Sequence, residues 1–98
     1  MIWRLKLEWD DAKDEVNQSK HGLSFAEARA LFDSGADYLV IFDADHSDDR
    51  FIAIGAVERG IVVIAFTEPE EDTIRIISAR WASKREQSLF GSYMNRNL

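Results

Sequence analysis

The stretch Thr73–Glu86, which reads TIRIISARWASKRE, decides how the rest of the chain is interpreted. Its first half is rich in β-branched residues and alternates like a strand, with Ile74 and Ala79 predicted on opposite faces. In its second half Ser83 and Glu86 have the S-x-x-E spacing of a capping box, in which hydroxyl and carboxylate each accept a hydrogen bond from a backbone N–H. The stretch therefore predicts a strand that leads directly into a helix.

Basic residues are concentrated around this junction. Residues 1–72 hold 7 Lys and Arg against 17 Asp and Glu, a net of −10, whereas residues 73–98 hold 5 against 1, a net of +4. A formal net charge of −6 opposes simple binding to nucleic acid, because phosphates repel an acidic protein. The closing strand and helix are the exception, although a solvated helix face explains the same pattern equally well.

Length and composition indicate one domain, residues 1–98, since 98 residues can bury a single core. No apolar run approaches the roughly 20 residues that span a bilayer. The N-terminus mixes charged with apolar residues, unlike a secretory signal. Without cysteine there is no disulfide framework and no thiolate metal site. We therefore expect a cytoplasmic protein that does not associate with membranes.

The order of predicted elements is β-α-α-β-β-β-β-α, which indicates an α+β fold. Short connections make the last four strands an antiparallel meander, to which an N-terminal strand is added, and the helices pack on this sheet. The first helix is predicted between an N-cap at Asp10 and a left-handed C-cap at Gly22, and the second begins at a capping box of Ser24 and Glu27. The strands of the meander are predicted at residues 38–42, 51–57, 61–67 and 73–80, and the uniformly apolar first of them is expected at the centre of the sheet.

The acidic segment Asp43–Asp49 resembles a calcium-binding loop at first sight. That motif requires glycine at its sixth position and glutamate at its twelfth, where this chain has Asp48 and Ile54. We therefore predict a solvated hairpin loop, which includes His46, and no metal site.

Three residues have both a functional and a structural interpretation. His21 is either a general base or a cation at a helix C-terminus, and the second is favoured. Glu86 is either an acid or base or only the partner of Ser83 in the capping box. Trp81 belongs either to the core or to a surface on which bases stack, and the sequence does not decide between them.

Several blocks of the sequence form a recognisable pattern in their order and spacing: Glu8-Trp9-Asp10, Lys13, Asn17, Lys20-His21-Gly22, Phe25, Ala28, Arg50, Gly55, the run Arg75-Ile76-Ile77-Ser78-Ala79-Arg80, and Glu86. Together they resemble the BrnT toxin family, and the match runs from about residue 7 to residue 90. The resemblance implies a fold similar to RelE-type ribonucleases and an RNA-cleaving toxin of a toxin–antitoxin pair. It also implies a cognate antitoxin that carries a ribbon-helix-helix DNA-binding domain.

RNA can be cleaved without a metal or other cofactor when the 2′-hydroxyl attacks the adjacent phosphorus. The reaction needs a proton acceptor, a proton donor and cations that hold the developing negative charge. On this hypothesis Arg50 and Arg80 project from one edge of the sheet and stabilise the phosphoryl group, Lys20 assists, and His21 or Glu86 transfers protons. The residues predicted to bind RNA are Arg75, Trp81, Lys84 and Arg85.

A different class of function is also compatible with the sequence. The chain could be a non-catalytic module that docks a DNA-binding antitoxin or regulator through its basic C-terminal edge, residues 75–96. Under either hypothesis we expect the antitoxin to cover this edge, with Trp81 and Phe90 as aromatic anchors. A homo-oligomer within the complex is a further expectation.

Overall fold

The computed structural model describes residues 5–44 and 49–96. The predicted order of elements is confirmed, and each boundary lies close to its expected position. The elements are β1 (Lys6–Glu8), α1 (Asp11–His21), α2 (Phe25–Asp33), β2 (Leu39–Asp43), β3 (Arg50–Val57), β4 (Gly60–Glu70), β5 (Thr73–Trp81) and α3 (Lys84–Arg96). None of the helices within the described ranges is long and apolar enough to cross a membrane.

The strands form one five-stranded sheet in the order β1-β5-β4-β3-β2. β2 to β5 pair antiparallel in sequence, so the predicted meander is confirmed. The N-terminal strand joins it next to β5, but β1 and β5 run parallel, which makes the sheet mixed rather than antiparallel. β1 pairs only with the first three residues of β5, from Thr73 to Arg75, and leaves the rest of that edge to another element.

The prediction that the apolar strand at residues 38–42 lies at the centre of the sheet is wrong. The segment forms β2, which is the edge strand, and β4 is the buried central strand. A continuous apolar run usually marks a strand buried on both faces, and here it does not. β2 and β3 form a hairpin as predicted, although most of the connecting acidic loop, including His46, lies outside the described residues.

The helix ends follow the local sequence signals. The Asp10 carboxylate accepts hydrogen bonds from the first turn of α1, and Gly22 closes that helix at φ 66°, a left-handed conformation that glycine adopts without strain. The Ser24 hydroxyl accepts from Glu27 N at 3.0 Å and so caps α2. The carboxylate of Glu27 pairs with Arg59 instead, with N–O distances of 2.6 Å, because a charged partner binds it more strongly than an amide does.

The two faces of the sheet are covered by different helices. One face and α1 and α2 enclose the main core, which includes Leu23, Phe25, Leu31, Ile64 and Ile76. On the opposite face Phe90 of α3 packs with Ile54 and Val63 in a smaller cluster. Because α3 covers only part of this second face, polar side chains of β3, β4 and β5 remain accessible beside it.

A β-bulge at Ile77 changes which side chains of β5 face the main core. Phe66 pairs with Ile76 and Ala65 pairs with Ser78, so Ile77 is the extra residue of the bulged strand. Ile74 and Ala79 are consequently both buried in the main core, and the prediction that they lie on opposite faces is wrong. The same shift places Arg80 on the face that also carries Arg75 and is partly covered by α3.

Candidate nucleic-acid interface and active site

Helix α1 completes the edge of β5 that β1 leaves unpaired. The buried Asn17 amide donates to Ala79 O at 2.7 Å and to Leu23 O at 2.9 Å, and its oxygen accepts from Ala79 N at 3.1 Å. The side chain thus replaces a neighbouring strand at Ala79 and fixes α1 alongside β5. No role was predicted for Asn17 from the sequence.

A groove follows the line along which α1 and β5 meet, and it consists of two adjoining clefts of about 360 Å³ each. The first, called here the helix cleft, is lined by Lys13, Val16, Asn17, Lys20, His21, Ile77 and Ser78, together with Asp10 and Ala12. The second, the arginine cleft, is lined by Asp10, Lys13, Arg50, Thr67, Arg75, Ile76 and Ile77. Lys13 and Asp10 belong to both clefts, so the lysines and arginines line one groove that also contains a carboxylate.

The arginine cleft is built on a row of paired residues that crosses three strands. Arg50 of β3 pairs with Thr67 of β4, which pairs with Arg75 of β5. Neighbouring strands are roughly 4.8 Å apart, so the backbones of the two arginines are about 10 Å apart and their long side chains can reach one phosphate. Arg75 also lies 3.4 Å from the Glu8 carboxylate, an exposed ion pair that contributes little to stability.

The prediction that Arg50 and Arg80 project from one edge of the sheet is wrong. Arg50 lies in the row of Thr67, whereas Arg80 pairs with Val63, four residues earlier on β4. At about 3.3 Å per residue, the two rows are about 13 Å apart. The two arginines share a face of the sheet but lie at opposite ends of it. β3 and β5 both run antiparallel to β4 and so begin at the same end, where Arg50 opens β3, whereas Arg80 lies near the far end of β5.

Arg80 forms a two-point ion pair with Glu86, with both N–O distances at 2.7 Å. The sequence predicted Arg80 as a phosphate-stabilising cation but did not predict this ion pair. Glu86 also accepts from Ser83 N at 2.9 Å, while Glu86 N donates to the Ser83 hydroxyl at 3.2 Å, which confirms the capping box. One carboxylate therefore caps α3 and holds the guanidinium of Arg80.

This pairing changes the acid–base properties of the carboxylate. Hydrogen bonds from Arg80, followed by those from Ser83, lower the pKa of Glu86 to about 2, although partial burial opposes the shift. The pKa of Arg80 is raised for the same reason. Near neutral pH Glu86 is thus a stable anion and a weak proton acceptor.

Arg59 stabilises the C-terminal end of α1, which carries Lys20 and His21. The Arg59 guanidinium donates to Gly22 O at 3.0 Å and to both carboxylate oxygens of Glu27, and the guanidinium lies 5.0 Å from the centre of the Trp81 ring. The hydrogen bond with Arg59 lowers the pKa of Glu27. Lys20 and His21 both line the helix cleft, and their catalytic roles stay predictions.

The remaining predicted RNA-binding residues are not all brought to the groove. Trp81 pairs with Val62 and packs against the main core, on the face opposite Arg80. Lys84 and Arg85 are exposed in the first turn of α3. Phe90 of α3 is buried against the sheet, so its prediction as an anchor for the antitoxin is wrong.

Sequence analysis also missed Lys13 as a site residue. Lys13 and Lys20 are seven positions apart, two helical turns, and therefore lie on the same face of α1 as Asn17. The helical spacing of these three residues was visible in the sequence. Only the contact between α1 and β5 shows that this face of the helix lines a groove. Among residues 5–44 and 49–96, no group of three or more His, Asp or Glu side chains is arranged to hold a metal ion.

The fold and the groove define a small α+β domain with a cationic surface of a size that suits phosphates. A family model described as ribonuclease toxin, BrnT, of type II toxin-antitoxin system matches residues 9–86. The chain therefore belongs to the BrnT family of ribonuclease toxins, and membership of a type II system implies an antitoxin partner.

Among solved structures, the chain is similar to the 1.1 Å crystal structure of the Brucella abortus ribonuclease toxin BrnT, with a TM-score of 0.67. The two sequences are 31% identical over 82% of this chain and 99% of that chain. No curated protein sequence matches the chain. The family assignment confirms the resemblance found in the sequence, and the solved structure confirms the α+β architecture, while similarity to RelE-type enzymes stays a prediction.

Proposed function

We propose that this protein is a metal-independent endoribonuclease that cleaves RNA by attack of the 2′-hydroxyl on the adjacent phosphorus. The observation that carries the proposal is the cationic groove, which gathers Lys13, Lys20, Arg50 and Arg75 in a chain whose formal net charge is −6. Clustered cations attract an anion, and the RNA backbone supplies one phosphate per nucleotide.

In this proposal the reaction takes place at the end of the groove formed by the helix cleft. His21 transfers protons, because imidazole is the side-chain group that ordinarily changes charge near neutral pH. Lys20 and Arg80 stabilise the charge that develops on the phosphoryl oxygens. Arg80 is two residues beyond Ser78 on the same face of β5, so its backbone lies about 7 Å from the cleft lining.

Glu86 acts as a positioning residue rather than as a base in this scheme. A carboxylate with a pKa near 2 takes up a proton poorly at neutral pH. Its two hydrogen bonds instead fix the planar guanidinium of Arg80, which suits the geometry of a phosphate. Of the two proton-transfer candidates from the sequence, the geometry thus favours His21.

The arginine cleft then binds RNA next to the scissile bond. Arg50, Arg75 and Lys13 contact neighbouring phosphates, and Lys84 and Arg85 extend the positive surface along the first turn of α3. Trp81 is left out of the proposed RNA contact, since it lies on the opposite face of the sheet.

The test is cleavage of a labelled single-stranded RNA by the purified protein, with and without EDTA. We expect cleavage in both conditions and products that end in a 2′,3′-cyclic phosphate, because the attacking oxygen stays bonded to phosphorus. Loss of cleavage in EDTA with recovery on adding magnesium would contradict the mechanism. RNA binding without any cleavage would favour the alternative, a non-catalytic binding module.

The antitoxin is proposed to carry a ribbon-helix-helix domain and to inhibit by covering the groove in the cytoplasm. Because the groove is lined by cations, the antitoxin surface that covers it should carry acidic groups. Association of toxin and antitoxin should then slow as the salt concentration increases. Hydrogen exchange should show protection of residues 10–21 and 75–80 in the complex. Light scattering would measure whether the complex contains two copies of the toxin, as expected if the antitoxin is dimeric. Protection confined to other residues would show that inhibition works elsewhere.

A further inference from the structure

Strand β2 exposes apolar side chains at an open edge of the sheet. Val40, Ile41 and Phe42 are 46%, 40% and 54% exposed, and consecutive strand residues point to opposite faces, so both faces of β2 present apolar surface. Proteins usually protect such an edge with lysine, proline or a bulge. β2 reads LVIFD and has none of these.

The outer side of β2 has backbone groups available for a further strand. β2 pairs with β3 on one side, and within the described part of the chain no strand lies on its other side. β3 and β4 separate β2 from β5, so β2 lies about 14 Å from β5, and no β2 residue lines either cleft, although Arg50 of the arginine cleft lies on the neighbouring strand β3. A partner could therefore occupy this edge while RNA occupies the groove.

The charge around β2 indicates what kind of strand would pair with it. The exposed Asp37 precedes β2, Asp43 ends it, and the exposed Asp49 lies at the start of β3. The sequence has no lysine or arginine between Arg29 and Arg50. Asp43 pairs with Arg50 across the strands, so the exposed carboxylates at the two ends of the apolar edge are those of Asp37 and Asp49.

This charge disfavours a second copy of the chain as the occupant. Two β2 strands paired edge to edge would bring the same aspartates of both copies to one seam, and like charges across a strand pair are destabilising. A strand with apolar residues at its centre and lysine or arginine at its ends would match both the apolar side chains and the acidic flanks.

We propose that β2 is a docking edge for an extended segment of another protein that is apolar at its centre and basic at both ends. The segment adds to the sheet as a sixth strand, through main-chain hydrogen bonds that give affinity and side-chain contacts that give specificity. The surface is separate from the groove, so the inference holds whether or not the protein cleaves RNA.

The test uses two fluorescent peptides with the same alternating threonine and valine centre, one flanked by lysines and the other by glutamates. We expect the lysine-flanked peptide to bind the full chain at least about fivefold more tightly in low salt, since the flanking charges are the only difference. Val40→Glu should abolish binding. Leu89→Glu is the matched control, because Leu89 is also 46% exposed but lies on α3. This variant should bind the lysine-flanked peptide as tightly as the wild type does.

A second variant keeps the test independent of the stability of β2. The double change Asp37→Lys and Asp49→Lys alters only exposed side chains and should reverse the preference toward the glutamate-flanked peptide. Equal binding of both peptides, binding of neither, or an unchanged preference in the double variant would overturn the proposal. So would a dimer of the chain alone that Val40→Glu dissociates, since the edge would then pair with its own copy.

Discussion

The ion pair between Glu86 and Arg80 gives the sharpest prediction, because structural and catalytic roles of Glu86 have different pH signatures. Glu86→Gln removes the charge but keeps an oxygen that can accept from Ser83 N, so the capping box survives. What is lost is the two-point charged contact with Arg80. The change therefore separates the ion pair from the helix cap.

The magnitude follows from the pKa. A fall from 4.5 to about 2 corresponds to ~3 kcal/mol of interaction with the charged carboxylate. The Arg80 side chain is 44% exposed, so solvent screens the pair, and we expect a loss of about 1–2 kcal/mol in the free energy of unfolding at pH 7. A carboxylate with a lowered pKa stabilises the fold at a pH above its unfolded value. The difference between wild type and variant should then be lost as the pH falls from 4.5 toward 2.

Urea unfolding of both proteins across this pH range measures the effect. Asp33→Asn is the matched control, since Asp33 forms a more exposed pair with Arg29 at 2.9 Å and should change stability by less than about 0.5 kcal/mol. A loss in Glu86→Gln that is the same at pH 7 and at pH 2.5 would refute the reasoning about charge.

RNA cleavage by Glu86→Gln tests the positioning role. If Glu86 only fixes Arg80, the rate should fall while the pH dependence keeps its shape, because the group that transfers protons is unchanged. Disappearance of one limb of the pH–rate profile would instead identify Glu86 as that group. Full activity in the variant would reduce Glu86 to a helix cap.

Three further changes test other parts of the site. Arg80→Ala should abolish RNA cleavage. Arg29→Ala is the control and should leave cleavage intact, because Arg29 is about as exposed as Arg80 and is also ion-paired. Cleavage by the Arg80→Ala variant would refute the role of Arg80. Lys13→Ala should weaken RNA binding and lower its dependence on salt by about one ion, measured by fluorescence anisotropy, and an unchanged salt dependence would remove Lys13 from the groove. Asn17→Ala leaves the N–H and C=O of Ala79 without their hydrogen-bond partner. The free energy of unfolding, measured in urea, should therefore fall by about 3 kcal/mol. A loss below about 1 kcal/mol would show that water replaces the Asn17 amide.

The order of elements and the helix ends could be predicted from the sequence because their signals are local. Asp10, Gly22 and the pair of Ser83 and Glu86 act within a few residues of themselves, and each is found in the predicted conformation. The meander likewise follows from short connections, which leave antiparallel neighbours as the simplest arrangement. Parallel pairing of β1 could not be read in the same way, since β1 and β5 are distant in sequence.

The composition of the site could not be predicted, because it depends on register and on contacts between distant segments. Alternation in β5 gives a period of two, but it does not reveal that Ile77 is bulged and that Arg80 changes face. The apolar run of β2 matches a buried strand equally well, and only the order of strands shows that it is an edge. Asn17 looks like an ordinary polar helix residue until Ala79 is placed beside it.

The division of charge along the sequence also differs from its division in space. Three of the four cations that line the groove, Lys13, Lys20 and Arg50, come from residues 1–72, the part with a net charge of −10. Folding brings them to Arg75, although Asp10 also lines both clefts and Asp43 of β2 pairs with Arg50. At physiological salt the screening length is about 8 Å, so an RNA phosphate in the groove interacts mainly with the groups that line it and only weakly with acidic residues farther away. The overall acidity therefore opposes the approach of RNA from a distance more than its binding in the groove, and it favours encounter from the side of α1 and β5.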